Sequence, residues 1–135
     1  MVKKTLTYLD TGVLIAAWQG THECAEQAYK ILDDAAREFA ASPFLRLELI
    51  PKPTFHNKRD EIQFYETFFG DVRHWPTDLE WVTEEALRLA CVYDLTALDA
   101  LHLASASQLG AEFMTTEKST KPMFGIKEIT VVSIR

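Results

Sequence analysis

At 135 residues, 47% of them hydrophobic, the chain suits one domain with a core of ordinary size. Its formal charge of −6, from 14 Lys and Arg against 20 Asp and Glu, excludes indiscriminate binding to nucleic acid through a basic surface. It leaves open a nucleic-acid enzyme with acidic metal ligands and a few local cations, for which Lys52, Lys58, Arg59, Lys118, Lys121 and Lys127 are candidates.

"MVKKTLTYLD" has a basic start but neither a long apolar core nor a small-residue cleavage site, and no run of about 18 apolar residues occurs anywhere. Residues 1–135 therefore read as a single soluble, cytoplasmic domain with no membrane span. Within that start, "TLTYLD" carries the β-branched and aromatic residues of a buried strand ending at Asp10, and "DTGVLIAAW" reads as a sharp turn into a helix. "HECAEQAYKILDDAA", His22 to Ala36, places Cys24, Ala28, Ile31, Leu32 and Ala35 at helical spacing. "EFAAS" is a short strand candidate. Ser42 as N-cap and Pro43 at the first helical position then start a helix, "FLRLELI", expected to stop before Pro51.

A longer amphipathic helix is expected over "HNKRDEIQFYETFFG", followed by a strand over "VRHWP". "TDLEWVTEEALRLACVY", capped by Thr77 or Asp78, and "TALDALHLASASQLG", closed by Gly110, read as helices. "AEFMTT" and "EITVVSI" read as strands. Strands alternating with helices imply an α/β layer structure with a mostly parallel sheet, whose sites form outside the carboxyl ends of its strands. Cys24 and Cys91 form no CxxC or Cys/His cluster, which points to reduced core thiols rather than a disulfide or zinc site.

Four carboxylates stand in the right contexts to share one rim. Asp10 ends the first strand, Glu117 lies just past "AEFMTT", and Glu48 and Asp99 sit on neighbouring helices. Each has a plain structural alternative: Asp10 can cap the helix near Gly12, Glu48 can face solvent, Glu117 can be a loop acid, and Thr96 with Asp99 resembles a capping box. Asp94 reads as turn chemistry, and His102, one turn after Asp99, as a packed or exposed histidine with substrate contact as the alternative. Together the four acids favour a shared cation, because like charges packed closely cannot all stay ionised without one. Carboxylate oxygens suit Mg²⁺ or Mn²⁺, which can activate a bound water and stabilise charge on a phosphodiester.

"YLDTGVLIAA", "SPFLRLELIPKP", "LTALDALHLASA" and "FMTTEK" resemble, in order and spacing, the acidic motifs of PIN domains, particularly the VapC-like ribonuclease toxins. The resemblance implies a three-layer α/β/α sandwich with a five-stranded, mostly parallel sheet, a Mg²⁺ or Mn²⁺ site, and endoribonuclease activity. Carried over motif by motif, it makes Asp10, Glu48 and Asp99 ligands or ligand-orienting groups and Thr11 and Thr116 hydroxyl contacts at the rim. The last motif usually offers Asp, whereas this chain has Glu117, whose extra methylene suits contact with a metal through water or at a second metal.

The function expected is metal-dependent hydrolysis of RNA by the toxin of a type II toxin–antitoxin pair, with RNA as substrate and a protein antitoxin as partner. The alternative is a PIN-like domain that binds RNA or a protein without cutting. An aspartyl-phosphate enzyme fits poorly, since "DTG" lacks the second Asp of a DxD nucleophile motif. On the helix "HNKRDEIQFYETFFG", Ile62, Tyr65 and Phe69 form one stripe that Phe64 and Phe68 widen. Core packing accounts for most of that width, with a homodimer or antitoxin contact as the alternative.

Overall fold

The β-branched and aromatic run Thr5–Leu9 forms strand β1, which lies inside the sheet. The computed structural model describes residues 3–135; the two residues that open the basic start, Met1 and Val2, lie outside the described residues. Helices α1 (Thr11–Gln19) and α2 (Ala25–Leu32) lead from β1 to β2 (Arg37–Ala40). Helices α3 (Pro43–Leu49), α4 (Pro51–Phe55), α5 (Arg59–Asp71), α6 (Leu79–Tyr93) and α7 (Ala97–Leu109) then precede β3 (Glu112–Thr115). A 3₁₀ turn at Pro122–Gly125 leads to β4 (Val131–Ser133).

The sheet runs β2-β1-β3-β4 and every pairing is parallel, with Tyr8 opposite both Ala40 and Phe113. Alternate strand residues therefore feed opposite layers. Tyr8, Phe113, Ala40 and Val131 pack against α6 and α7, while Leu9, Met114, Phe39 and Val132 pack against α1, α2 and α5. This is the expected three-layer α/β/α arrangement, and it puts all four strand carboxyl ends at one rim.

The expected fifth strand is corrected: the described residues form four strands, and "VRHWP" contributes only a single parallel bridge between His74 and Ala40. Ala41 N–H donates to the His74 carbonyl at 3.1 Å. Beyond that bond the ladder stops: Trp75 Nε1 takes up the Val72 carbonyl at 3.2 Å, and Pro76 has no N–H to extend it. The helix expected to stop before Pro51 does so, and a short helix not expected from the sequence follows it. Pro51 ends α3 as expected but also begins α4, because Ile50 keeps helical dihedrals and proline is at home in a first turn.

Cap chemistry follows the sequence closely. Ser42 accepts from Leu45 N–H, Asp78 from Trp81 N–H and Thr96 from Asp99 N–H, while Gly110 closes α7 in the left-handed region. Asp94 closes α6 at φ 55°, the turn role its position suggested. Cys24 is buried but Cys91 is exposed on α6, so only one of the two thiols belongs to the core. Tyr65, Phe68 and Phe69 are buried, and Phe64 packs on Trp18, which accounts for the wide aromatic face of α5. Among the described residues no single helix is long and apolar enough to cross a membrane.

Candidate functional site

Asp10 sits where β1 stops and α1 starts, and its dihedrals and side chain are those of an N-cap. Oδ1 accepts the Thr11 N–H at 2.8 Å and Oδ2 accepts the Thr115 hydroxyl at 3.0 Å. Only 9% of the residue is exposed. Burial pushes its carboxyl above the ordinary carboxylate range. The neighbouring His102, the Thr11 N–H and the Thr115 hydroxyl pull the other way, and the charge of Asp99 adds to the rise. One side chain thus caps α1 while burial disfavours its charge.

Glu48 reaches toward the same rim from α3. Its Oε1 accepts the Thr11 hydroxyl at 2.9 Å and lies 2.5 Å from His102 Nε2. The His102 hydrogen bond holds this carboxyl below its usual value, against the opposing effect of partial burial. His102 is fully buried, and its Nδ1 is 2.7 Å from the Tyr8 hydroxyl, which is itself 2.7 Å from Ser42 Oγ. The packed-histidine reading of His102 therefore holds, with both ring nitrogens engaged.

Asp99 lies in the first turn of α7, half-buried, with its backbone N–H 3.4 Å from Thr96 Oγ1. The side chain makes no return bond to the Thr96 backbone among the described residues, so only half of the expected capping box is formed. Glu117 follows β3, its backbone N–H donating to Thr115 Oγ1 and its carbonyl accepting from Ser133. Thr116 lies against α1, where a Cβ on Gly12 would stand 2.3 Å from Thr116 Oγ1. Gly12→Ala should therefore destabilise by about 1–2 kcal/mol on urea unfolding, because overpacking outweighs the ~1 kcal/mol that alanine gains in a helix. Adding Thr116→Ala should recover most of the loss. Absence of recovery would show that this close approach is not what requires glycine.

The structure thus brings Asp10, Thr11, Glu48 and Asp99 to one rim, with Thr116 against it, and places Glu117 just beyond β3. It does not present the four acids as a finished cage: among the described residues no group of three or more His, Cys, Asp and Glu is arranged to hold a metal. The donor chemistry still fits a hard divalent cation. Mg²⁺ is commonly held by one or two carboxylates together with waters and substrate phosphates, and Asp10 with Asp99 supplies such a pair. Two of the candidate cations, Lys52 and Lys58, line a groove that opens beside Glu48 together with His56 and Tyr65.

Sequence reasoning named Thr116 at the rim and missed Thr115, the hydroxyl that binds Asp10. It also missed Tyr8 and the partnership of His102 with Glu48. Strand alternation carried some of the signal, since Thr115 and Tyr8 are polar-tipped residues at otherwise apolar strand positions.

The PIN domain family profile matches residues 7–121. No curated protein sequence matches the chain. Solved structures do. A chain of a toxin–antitoxin complex from Klebsiella pneumoniae is 21% identical with a TM-score of 0.70, covering 96% of this chain and 98% of that one. VapBC2 from Rickettsia felis, bound to a DNA fragment from its promoter, gives 14% identity and a TM-score of 0.72 over 96% and 98% of the two chains. DNA-bound VapBC from Salmonella typhimurium gives 15% and 0.71 over the full length of both. At these identities the likeness is one of fold.

Proposed function

Because the chain belongs to the PIN domain family, we propose that it is a metal-dependent endoribonuclease that hydrolyses RNA phosphodiester bonds in the cytoplasm as the toxin of a toxin–antitoxin pair. The observation that carries this reading is the buried Asp10 at the carboxyl end of an inner strand, its charge opposed by burial and by Asp99. Such a pair gains most from a Mg²⁺ or Mn²⁺ ion. Asp10 and Asp99 would hold the ion, with Glu48 beside them and Glu117 reaching it through water.

When bound, the ion supplies an acidified water and charge stabilisation on the phosphodiester. The chain's own groups do the rest. Thr115 and the Thr11 N–H fix the two oxygens of Asp10, and the Thr11 hydroxyl ties Glu48 to the same helix start. Lys52 and Lys58 offer cations to RNA phosphates along the adjoining groove, which supports RNA recognition despite the acidic net charge. No nucleophilic side chain is needed, since water attacks directly. A protein antitoxin and a second copy of this chain are the partners of this reading, in keeping with the toxin–antitoxin complexes that share the fold.

The test is incubation of a mixed RNA pool with the purified protein in Mn²⁺, Mg²⁺ and EDTA, beside melting curves of the protein without RNA. Cleavage in Mn²⁺ that EDTA abolishes is expected, and Mn²⁺ at a hundredfold excess over its dissociation constant should add about 2.7 kcal/mol of stability. A melting temperature unmoved by millimolar Mn²⁺ would sink the shared-metal reading. The second reading, binding without cleavage, is favoured by the engagement of Glu48 with Thr11 and His102. RNA retained on the protein but left intact in Mn²⁺ would select it.

A further inference from the structure

Behind Glu48 runs a buried polar chain that the hydrolysis as described does not use. It begins on α3, where Leu45 N–H donates to Ser42 Oγ, and passes through the Tyr8 hydroxyl to His102 and on to Glu48. Ser42, Tyr8 and His102 have no exposed surface. The directions are set by elementary bookkeeping of protons. A carboxylate only accepts, so the ring nitrogen facing Glu48 must carry the hydrogen. Nδ1 is then free to accept from the Tyr8 hydroxyl, which burial keeps protonated, and the Ser42 hydroxyl is free to donate to the Tyr8 oxygen. Each side-chain donor from Ser42 to His102 is used once and in one direction.

A second observation gives the chain its consequence. Both bonds into Glu48, from His102 Nε2 and from the Thr11 hydroxyl, end on the same oxygen, Oε1, and Oε2 has no hydrogen-bond partner among the described residues. Two donors on one oxygen, one from α7 and one from α1, stop the carboxylate from rotating. We infer that His102 is a positioning residue: it pins Oε1 of Glu48 so that Oε2 is the oxygen offered to a divalent cation, directly or through its water. This rests on the reading of Glu48 as a metal-site acid given above. Partners of this kind, which orient a ligating carboxylate, commonly change metal affinity by about 10–100-fold when removed.

Two substitutions separate positioning from mere filling of the core. The amide nitrogen of glutamine reaches about where Nε2 stands, whereas that of asparagine stands near Nδ1. His102→Gln therefore keeps a donor for Glu48, and His102→Asn keeps only the Tyr8 side of the chain. Expected is a Mn²⁺ affinity about 10–100-fold weaker in His102→Asn and mostly recovered in His102→Gln, at equal folded fraction by thermal melting. In metal-free protein the ¹³C signal of the Glu48 carboxyl should move in His102→Asn and stay near its wild-type position in His102→Gln. Equal behaviour of the two folded variants in both measurements would overturn the inference.

Should either variant fail to fold, the wild-type ¹⁵N shifts of the imidazole decide the matter. They are expected to report a hydrogen on Nε2, and a neutral ring with its hydrogen on Nδ1 would refute the inference outright. Wild-type protein that binds no Mn²⁺ would instead refute the metal reading of the site, while the carboxyl and imidazole signals still judge whether His102 sets Glu48.

Discussion

Asp10→Asn is expected to lower RNA cleavage by roughly 10²–10³-fold, the scale of several kcal/mol of transition-state charge stabilisation, while making the metal-free protein more stable. The two effects share one cause. The native carboxyl is raised by burial, so the folded state holds its proton more tightly than the unfolded chain does. Stability from this group is thus highest in acid, declines as pH rises from the ordinary carboxylate value through the raised native one, and stays reduced above it. Asparagine removes the charge yet leaves an oxygen for the Thr11 N–H, and the Thr115 hydroxyl can turn to accept. Melting curves in EDTA, recorded from acid to neutral pH, should show the variant pulling ahead of wild type as pH increases. A variant that melts lower at neutral pH and still cleaves would mean that Asp10 is only a helix cap.

Asp99→Asn should behave differently in stability and alike in activity. The cap of α7 uses the Asp99 backbone N–H, which the substitution leaves in place. What is lost is the favourable meeting of a carboxylate with the helix N-terminus, about 0.3–1 kcal/mol, and what is gained is relief of its repulsion with Asp10. The urea midpoint should therefore stay close to wild type. Cleavage should fall about 10²-fold or more, because the amide is a much poorer ligand for a hard cation. A stability loss above about 2 kcal/mol with cleavage per folded molecule preserved would assign Asp99 to structure instead.

The same two acids mark how far the sequence could be read. The layer order and most helix ends were legible because their signals are local. Ser42 before Pro43, Thr96 before Asp99 and Gly110 after Leu109 each announce a cap that the backbone then adopts. The fifth strand was not legible, since "VRHWP" has strand composition and yet forms a single bridge, the Val72 carbonyl being taken by the Trp75 side chain. Pro51 was legible as a stop but not as a start: the helical dihedrals of Ile50 let the same proline open α4.

In the site, Asp10, Glu48 and Asp99 could be placed from motif and strand context. Their partners could not. Nothing near His102 in the sequence points to Tyr8 or Glu48, which reach it only after β1, α3 and α7 have packed. The side-chain commitment of Glu48 to Oε1 is likewise a product of packing, with no trace in spacing.

The all-parallel sheet has a consequence in time as well as in space. Parallel neighbours cannot be joined by hairpins, so β1 must wait for β3, which is made more than a hundred residues later, before the inner pair of strands exists. Loop closure over such separations is slow and comes late in folding. During synthesis the first strand, with Asp10 at its end, leaves the ribosome long before Asp99 or Thr115 can meet it. A cell making this protein therefore carries nascent chains in which Asp10 and Asp99 have not yet met at one rim, a meeting that waits until β3 is released.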